Sequence, residues 1–348
     1  MSKDIVTIVV PVYNAEKTIL TCLDSIQAQT YLWLDIIIVD DCSTDQTSFL
    51  INDFIVKNSR FRLIQQKTNQ GASAARNCGI KLAKGSMLYF IDADDWITPN
   101  VISNFVKFYK DNKMSLVCGG HTQCKGDNFF ITKNCELESD ILFSTREFIS
   151  YVKDYLRIPY KYLLPVHCWN KLYNLKIIQT YNLQFDTSLS QLEDVSFNFR
   201  YLMYVDTIKF NLSFDYYHRI DSLNNSYSSK AGTEHDAINK CLRAFSPIKD
   251  YLIKKDANNE IDHITELGHH FITTSIIIIL RLVRHFLKKP NMTDVKRIRE
   301  WVSSPLFHTN IQYYERQPNE SRIIHAALKT RSTTLIFIAA LYRVIMIR

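Results

Sequence analysis

The residues best equipped for chemistry are carboxylates that follow short apolar runs. Residues 87–91 (MLYFI) lead into Asp92-Ala93-Asp94-Asp95-Trp96. On an extended segment residues i and i+2 point to one side, so Asp92 and Asp94 are expected to converge on one spot. Two carboxylates in near contact repel unless a cation lies between them. A hard divalent ion, Mg²⁺ or Mn²⁺, bridging one or two carboxylates and a diphosphate is the expected occupant. The competing reading uses Asp94 or Asp95 to cap the helix that opens near Pro99. A second cluster, Val39-Asp40-Asp41-Cys42-Ser43-Thr44-Asp45, places Asp41 to accept hydrogen bonds from a base or a ribose hydroxyl, while Thr44 or Asp45 suits an N-cap. A third segment, Pro11-Val12-Tyr13-Asn14, follows an apolar run with no G-x-G-x-x-G. That absence disfavours a nicotinamide dehydrogenase.

These clusters need strands to present them. Continuous apolar runs at 5–10 (IVTIVV), 36–39 (IIIV), 61–64 (FRLI), 87–91 and 115–118 suit a parallel sheet covered on both faces. Helical patterns fall between them, at 15–29, 47–56, 72–83 and 101–109. Strand and helix thus alternate at βαβ spacing, and the first 120 residues are expected to form an open α/β sheet that binds its ligand beyond the carboxyl ends of the strands. Residues 120–230 lose this regularity and are rich in aromatics; from about 235 the pattern is helical.

Composition bounds the function. The chain has 348 residues, 46% of them hydrophobic and 22% charged, with 8 Gly and 8 Pro, which excludes disordered, collagenous and small stapled classes. Its net charge of +7 is unevenly placed: residues 281–348 hold 13 basic and 4 acidic side chains (+9), the remainder 29 and 31 (−2). A nucleic-acid enzyme spreads positive charge over its binding face, so the split favours a C-terminal segment meeting an anionic membrane surface and no nucleic acid. Residues 271–287 (FITTSIIIILRLVRHFL) are interrupted by Arg281, Arg284 and His285, short of the roughly 20 residues that span a bilayer. The segment 333–348 suits an interfacial amphipathic helix or one buried in the core. Eight cysteines without a C-x-x-C pair, and an N-terminus without a signal peptide, point to a cytoplasmic protein with reduced thiols.

Taken together, VTIVVPVYNAEKTILTCLDSIQAQT, IIIVDDCSTDQT, NQGASAARNCGIKLAKG and YFIDADDW resemble, in order and spacing, the family 2 glycosyltransferases that build bacterial lipopolysaccharide, capsule and other surface glycans. Later pieces, His167-Cys168-Trp169-Asn170-Lys171-Leu172-Tyr173 and Leu192-Glu193-Asp194-Val195-Ser196-Phe197, fit as well, so the resemblance covers about residues 4–225. It implies a GT-A fold with a nucleotide-sugar-binding half (1–120), an acceptor-binding half (121–228) and a helical C-terminal region (229–348). It also implies a nucleotide-sugar donor, UDP foremost, and inversion at the anomeric carbon. Pro11, Tyr13, Asn14, Glu16, Asp41 and Asn69 would line the donor pocket, with Arg76 reaching towards the nucleotide. Asp92, Ala93 and Asp94 would meet ribose and metal-diphosphate. Cys42 departs from the family, which usually carries Gly there, so a side chain must take negative φ or accept strain.

Transfer to an acceptor hydroxyl requires a general base on the face of the donor sugar opposite the leaving group. By the same resemblance Asp194 is expected in that role. Glu193 would lie in the acceptor site, or serve only to close an S-x-x-E capping box from Ser190. Trp169 would stack on an acceptor sugar or sit in the core. His218 is a candidate third metal ligand, or a packed histidine. The acceptor would be a glycan or a lipid-linked saccharide, and the basic tail would hold the enzyme peripherally at the inner face of the cytoplasmic membrane. Two other functions compete: a sugar-nucleotidyltransferase, which needs a Gly-rich basic loop after the first strand, and a catalytically silent nucleotide-sugar or glycan-binding subunit, which needs neither the D-x-D pair nor a base.

Overall fold

The computed structural model describes residues 4–112, 116–125, 128–131, 137–159, 161–162, 164–189, 191–220, 237–257, 259–316 and 320–346. The chain divides into two compact units, Met1–Phe148 with Leu163–Asn224, and Ile149–Tyr162 with Asn225–Arg348.

The first unit is built on one sheet. Its parallel half orders β3 (Phe61–Gln65), β2 (Leu34–Asp40), β1 (Val6–Val12) and β4 (Met87–Phe90), with Val12 opposite Asp40 and Val9 opposite Phe90. Every residue of β1 is buried, as a strand covered on both faces requires. Helices α1 (Ile19–Gln27), α2 (Thr47–Val56), α3 (Ala72–Leu82) and α4 (Val101–Asn112) link or follow these strands. The first helix starts four residues later than the apolar spacing predicts, because Asn14 turns the chain at φ 49° and residues 16–18 form a turn.

The same sheet continues through residues whose sequence lacks period. From β4 it runs to β9 (Lys171–Asn174), β6 (Leu116–Lys125), β10 (Ile208–Arg219) and β5 (Trp96–Ile97), while β7 (Asn128–Ile131) pairs with β6 and β8 (Ile141–Phe143) with β10. Strand β9 is antiparallel to both neighbours, and β10 shifts register against β6 between Asn211 and Tyr216. Such a shift bends a strand and re-aims its side chains. Helices α5 (Thr145–Arg157), α6 (Leu175–Thr180) and α7 (Glu193–Leu202) complete the middle of the chain.

The second unit packs the last turns of α5 with α8 (Ala237–Lys255), α9 (Glu260–Lys288), α10 (Met292–Val302), α11 (Pro305–Asn310), α12 (Arg322–Thr330) and α13 (Thr333–Met346). Helix α9 runs through Arg281, Arg284 and His285 rather than stopping at them. By length and composition it could cross a membrane, yet half of its apolar window is buried inside the structure. Its Ser275 accepts the Trp301 indole N–H at 2.8 Å, and its Glu266 holds Arg157. Helix α13 has two apolar sides. Ile336, Ala339 and Ala340 are buried, whereas Leu335, Ile338, Tyr342 and Ile345 are each about half exposed.

Candidate active site

Parallel strands end at one edge, so the loops after β1, β2 and β4 converge there. The first two lock together: Asn14 Oδ1 accepts the Thr44 amide at 2.8 Å, the Asn14 amide donates to Ser43 Oγ at 3.0 Å, and Glu16 Oε2 accepts the Gln46 amide at 3.1 Å. Asn14 and Glu16 therefore have a task within the protein. Tyr13 stands exposed on that edge, Pro11 is buried in β1, and Asn69 is exposed. Asp41 is buried, and its two oxygens accept the amides of Gln70 (2.8 Å) and Gly71 (2.6 Å). It thereby fixes the start of α3 as well as facing the edge. Gly71 itself has φ 90°, which a side chain rarely adopts. Cys42 takes φ 66°, so the side chain in this Gly position accepts left-handed strain.

The carboxylates after β4 lie on a turn, not on an extended segment. The Asp95 amide donates to the Asp92 carbonyl at 3.1 Å, so the two-residue alternation of an extended strand does not set where Asp92 and Asp94 point. Asp94 is exposed, Ala93 is buried between the two, and Asp95 points inward. Tyr216 Oη donates to Asp95 at 2.6 Å and accepts the Asp92 amide at 3.3 Å, while the Arg219 amide donates to the other Asp95 oxygen at 2.8 Å. Burial, and then the charges of Asp94 and Asp92, push the Asp95 carboxyl well up. Over the same turn, Arg219 Nε meets the Asp94 carbonyl at 3.1 Å and its guanidinium lies 5.1 Å from the Trp96 ring.

Arg76 organises the carboxylates. It leaves α3 one turn before Gly79, where an added Cβ would stand 2.3 Å from a Val9 methyl carbon, so only glycine lets the helix lie this close to β1. Buried at 5% exposure, Arg76 reaches Asp92 at 2.9 Å, Asp194 at 3.3 Å and Glu193 at 3.7 Å. One guanidinium is thus shared by carboxylates more than a hundred positions apart in the chain. Asp194 also accepts the Cys168 amide at 3.1 Å. Glu193 opens α7 behind Leu192 at φ 61°, with no capping bond from that residue, and its side chain points to Arg76. Glu193 is the first helical residue and not the third; Ser190, the other member of the S-x-x-E box, lies outside the described residues. Burial and the Asp194 charge, opposed by Arg76, push Glu193 up to about 7.

Several supports escaped the sequence reading. Asn77 imitates a strand partner, with Oδ1 accepting the Phe185 amide at 2.7 Å and Nδ2 donating to its carbonyl at 2.9 Å. This anchors the segment leading into α7, and Phe185 lies 5.4 Å beneath the Arg76 guanidinium. Asn198 Nδ2 donates to the carbonyls of Pro165 and His167, both at 2.9 Å, and so holds the loop that offers the Cys168 amide. The S-A-A-R-N run that sets Asn77 beside Arg76 is the one available signal, and it says nothing of the partner.

Of the two places expected for Trp169, the structure gives the core. One face stacks on His167 at 4.3 Å and the other on Tyr216 at 4.5 Å, leaving 5% exposure and no open ring face. His121 and His218 lie within 5.0 and 5.3 Å of the same ring. Burial lowers all three histidines, His121 to about 3, so their imidazoles are neutral.

Among the described residues no group of three or more His, Cys, Asp or Glu could by itself cage a metal ion. The fit is to an ion held partly by a ligand. His218 Nδ1 is buried without a hydrogen-bond partner, its neutral ring can offer a lone pair, and the Asp92 charge acts on it. A cation with Asp92 and Asp94 oxygens and such a nitrogen, completed by diphosphate oxygens, matches the preferences of Mg²⁺ or Mn²⁺.

Comparison with known proteins adds the family. The model described as glycosyl transferase family 2 matches residues 7–181. EpsH of Bacillus subtilis, named as a glycosyltransferase, is 30% identical over 222 residues, 63% of this chain and 62% of its own length. The UDP-Glc:alpha-D-GlcNAc-diphosphoundecaprenol beta-1,3-glucosyltransferase WfaP of Escherichia coli is 40% identical over 111 residues, 32% of this chain and 43% of that one. The chain therefore spans less than two thirds of either relative. The crystal structure of S. aureus TarS 1-349 in complex with UDP-GlcNAc is similar with a TM-score of 0.68 at 18% identity, over 97% of this chain and 91% of that one. This last likeness is one of fold, and it agrees with the GT-A sheet and helical C-terminal region read from the sequence.

Proposed function

This chain belongs to glycosyl transferase family 2, and from that premise we propose that it moves a hexose or N-acetylhexosamine from a UDP-sugar to a hydroxyl of a glycan or lipid-linked acceptor in bacterial surface-glycan biosynthesis. The observation that carries the reading is the Arg76 cluster, which ties Asp92, on the donor side, to Asp194, the base, at the carboxyl edge of the parallel strands. WfaP, whose name states a UDP-glucose donor and a lipid-diphosphate acceptor, supports the substrate classes.

In the reaction the acceptor oxygen attacks the anomeric carbon as the bond to the diphosphate oxygen breaks on the opposite face, giving inversion. Asp194 takes the hydroxyl proton, its carboxylate oriented by the Cys168 amide and Arg76. Arg76, held by Phe185 and its carboxylates, supplies fixed positive charge beside the developing leaving group. Asp92, Asp94 and His218 would hold a divalent ion, which when bound neutralises diphosphate charge. The locked loops after β1 and β2 present Tyr13 and Asp41 to the nucleoside. A second reading makes Glu193 the base, favoured by its carboxyl at about 7, close to the pH at which it would work. We further propose that the protein works in the cytoplasm, peripherally on the inner leaflet, with the basic residues of 281–348 against anionic lipid.

A panel of UDP-sugars with Mn²⁺, assayed for UDP release without and with acceptor, tests the reaction. Release with one donor, lost in Asp94→Asn and, for transfer, in Asp194→Asn with donor binding kept, is expected. Wild-type turnover by Asp194→Asn gives the base to Glu193, and tight donor binding without any release favours a silent subunit.

A further inference from the structure

The second unit leaves one apolar face uncovered. Along α13, Leu335, Ile338, Tyr342 and Ile345 recur at intervals of three and four, the spacing of one helical face, at 48 to 54% exposure. Monomeric surfaces seldom keep such stripes unless something covers them. The same unit holds a cavity of about 320 Å³ between α9, α12 and α13, which Arg343 of α13 lines. Ile276, Ile277, Leu280 and Ile324 form its aliphatic wall, and Tyr314, Glu320 and Arg343 stand at its polar end, where the Glu320 carboxylate accepts the Tyr314 hydroxyl. Ile277 is both wall and surface, at 37% exposure, so the cavity opens outward.

Charge identifies the occupant. The segment 281–348 carries 13 basic side chains against 4 acidic. Two of the four acidic groups are engaged inside the unit: Asp294 is buried with His285 at 2.7 Å, and Glu320 accepts the Tyr314 hydroxyl at 2.8 Å. Arg281, Arg284, Arg322, Lys329 and Arg331 are exposed. An exposed apolar stripe in a segment this rich in exposed basic side chains complements an anionic bilayer.

We propose that this cleft takes one acyl chain of an anionic phospholipid, with the lipid phosphate at Arg343 and the α13 stripe in the headgroup boundary. The proposal rests on the inner-leaflet reading above and deepens it, from general attraction to a chain-binding site. A wall of aliphatic side chains suits a flexible alkyl chain, and the volume lies at the small end of ligand pockets.

The test separates the two readings. The full chain is titrated calorimetrically with monomeric dihexanoyl-phosphatidylglycerol, and separately sedimented with vesicles of equimolar phosphatidylglycerol and phosphatidylcholine. Saturable binding of the monomeric lipid is expected, lost in Ile277→Trp, which fills the cleft without changing charge, and weakened about tenfold in Arg343→Gln, which removes a charge-assisted contact. Matching circular dichroism and melting curves establish that each variant folds, and the half-buried Arg343 position supplies a readout if Ile277→Trp does not. Vesicle binding without monomer binding, or monomer binding unchanged in both variants, overturns the cleft while the inner-leaflet reading stands. Binding to neither overturns both. A self-associating chain whose stripe is covered by a second copy also overturns the cleft.

Discussion

Tyr216 donates its hydroxyl to Asp95 at 2.6 Å behind the turn that carries Asp92 and Asp94, and the same oxygen receives the Asp92 amide. A residue of β10 thus fixes a turn more than a hundred positions earlier. Tyr216→Phe is expected to destabilise the protein by about 1–3 kcal/mol, because it leaves a buried carboxyl short of a partner. Thermal melting checks this. Donor affinity should weaken in parallel, and an unchanged dissociation constant would remove Tyr216 from the support of the turn.

Arg76→Lys should fail almost as badly as Arg76→Met. A lysine ammonium is a point charge that cannot span Asp92, Asp194 and Glu193 as the planar guanidinium does. The expected loss in kcat/KM is about a hundredfold or more. Steady-state kinetics with the cognate donor measures it, and near-wild-type activity of Arg76→Lys would argue that charge alone suffices.

Gly79→Ala tests how α3 is seated. The added methyl meets a Val9 side chain at a distance that atoms do not share, so strand or helix must move. Overpacking of this kind costs about 1–3 kcal/mol. Since Arg76 is one turn away, loss of transfer activity should accompany the lower unfolding midpoint.

His270 makes the second unit acid-labile. Burial lowers its pKa from an ordinary 6.5 to about 4, and its Nδ1 lies 3.1 Å from the Leu156 carbonyl. A histidine depressed in the folded state binds fewer protons than in the unfolded chain, so the stability present above 6.5 is lost as pH falls towards 4. By pH 5 the loss is about 2 kcal/mol. Urea unfolding at pH 7 and pH 5 should show it, with a shallower dependence in His270→Asn.

Glu193 should leave its mark on the pH–rate profile. Burial and Asp194 raise it to about 7, so it is neutral below that pH and a third charge on Arg76 above it. Because a raised carboxyl favours the protonated fold, its contribution to stability fades as pH rises from its ordinary 4.5 through 7. A limb near pH 7 in kcat/KM, absent in Glu193→Gln, is expected. An identical profile in that variant would detach Glu193 from the reaction.

The parallel half of the sheet was legible because each strand is buried on both faces and reads as an unbroken apolar run. The antiparallel and bulged half was not. Strand β10 (IKFNLSFDYYHR) mixes polar and aromatic residues, since its job is to point Tyr216, His218 and Arg219 at other parts of the chain. Asp92, Asp194 and Arg76 could be named from motifs, yet their meeting depends on the seat of α3 and on Asn77 gripping Phe185, contacts that no local spacing announces. Trp169 stayed open between acceptor platform and core for a related reason: its neighbours in space, His167 and Tyr216, stack on its ring, and one of them comes from a distant strand.

That one guanidinium is divided between Asp92 and Asp194 has a thermodynamic consequence. Two sites drawing on a single cation are linked, and linkage is reciprocal: whatever factor an anion bound beside Asp92 imposes on binding at Asp194, a ligand at Asp194 imposes on that anion's affinity. In the proposed reaction, donor binding that draws Arg76 towards the phosphates would release Asp194 to meet the acceptor hydroxyl, and the expected order of binding is donor first and acceptor second.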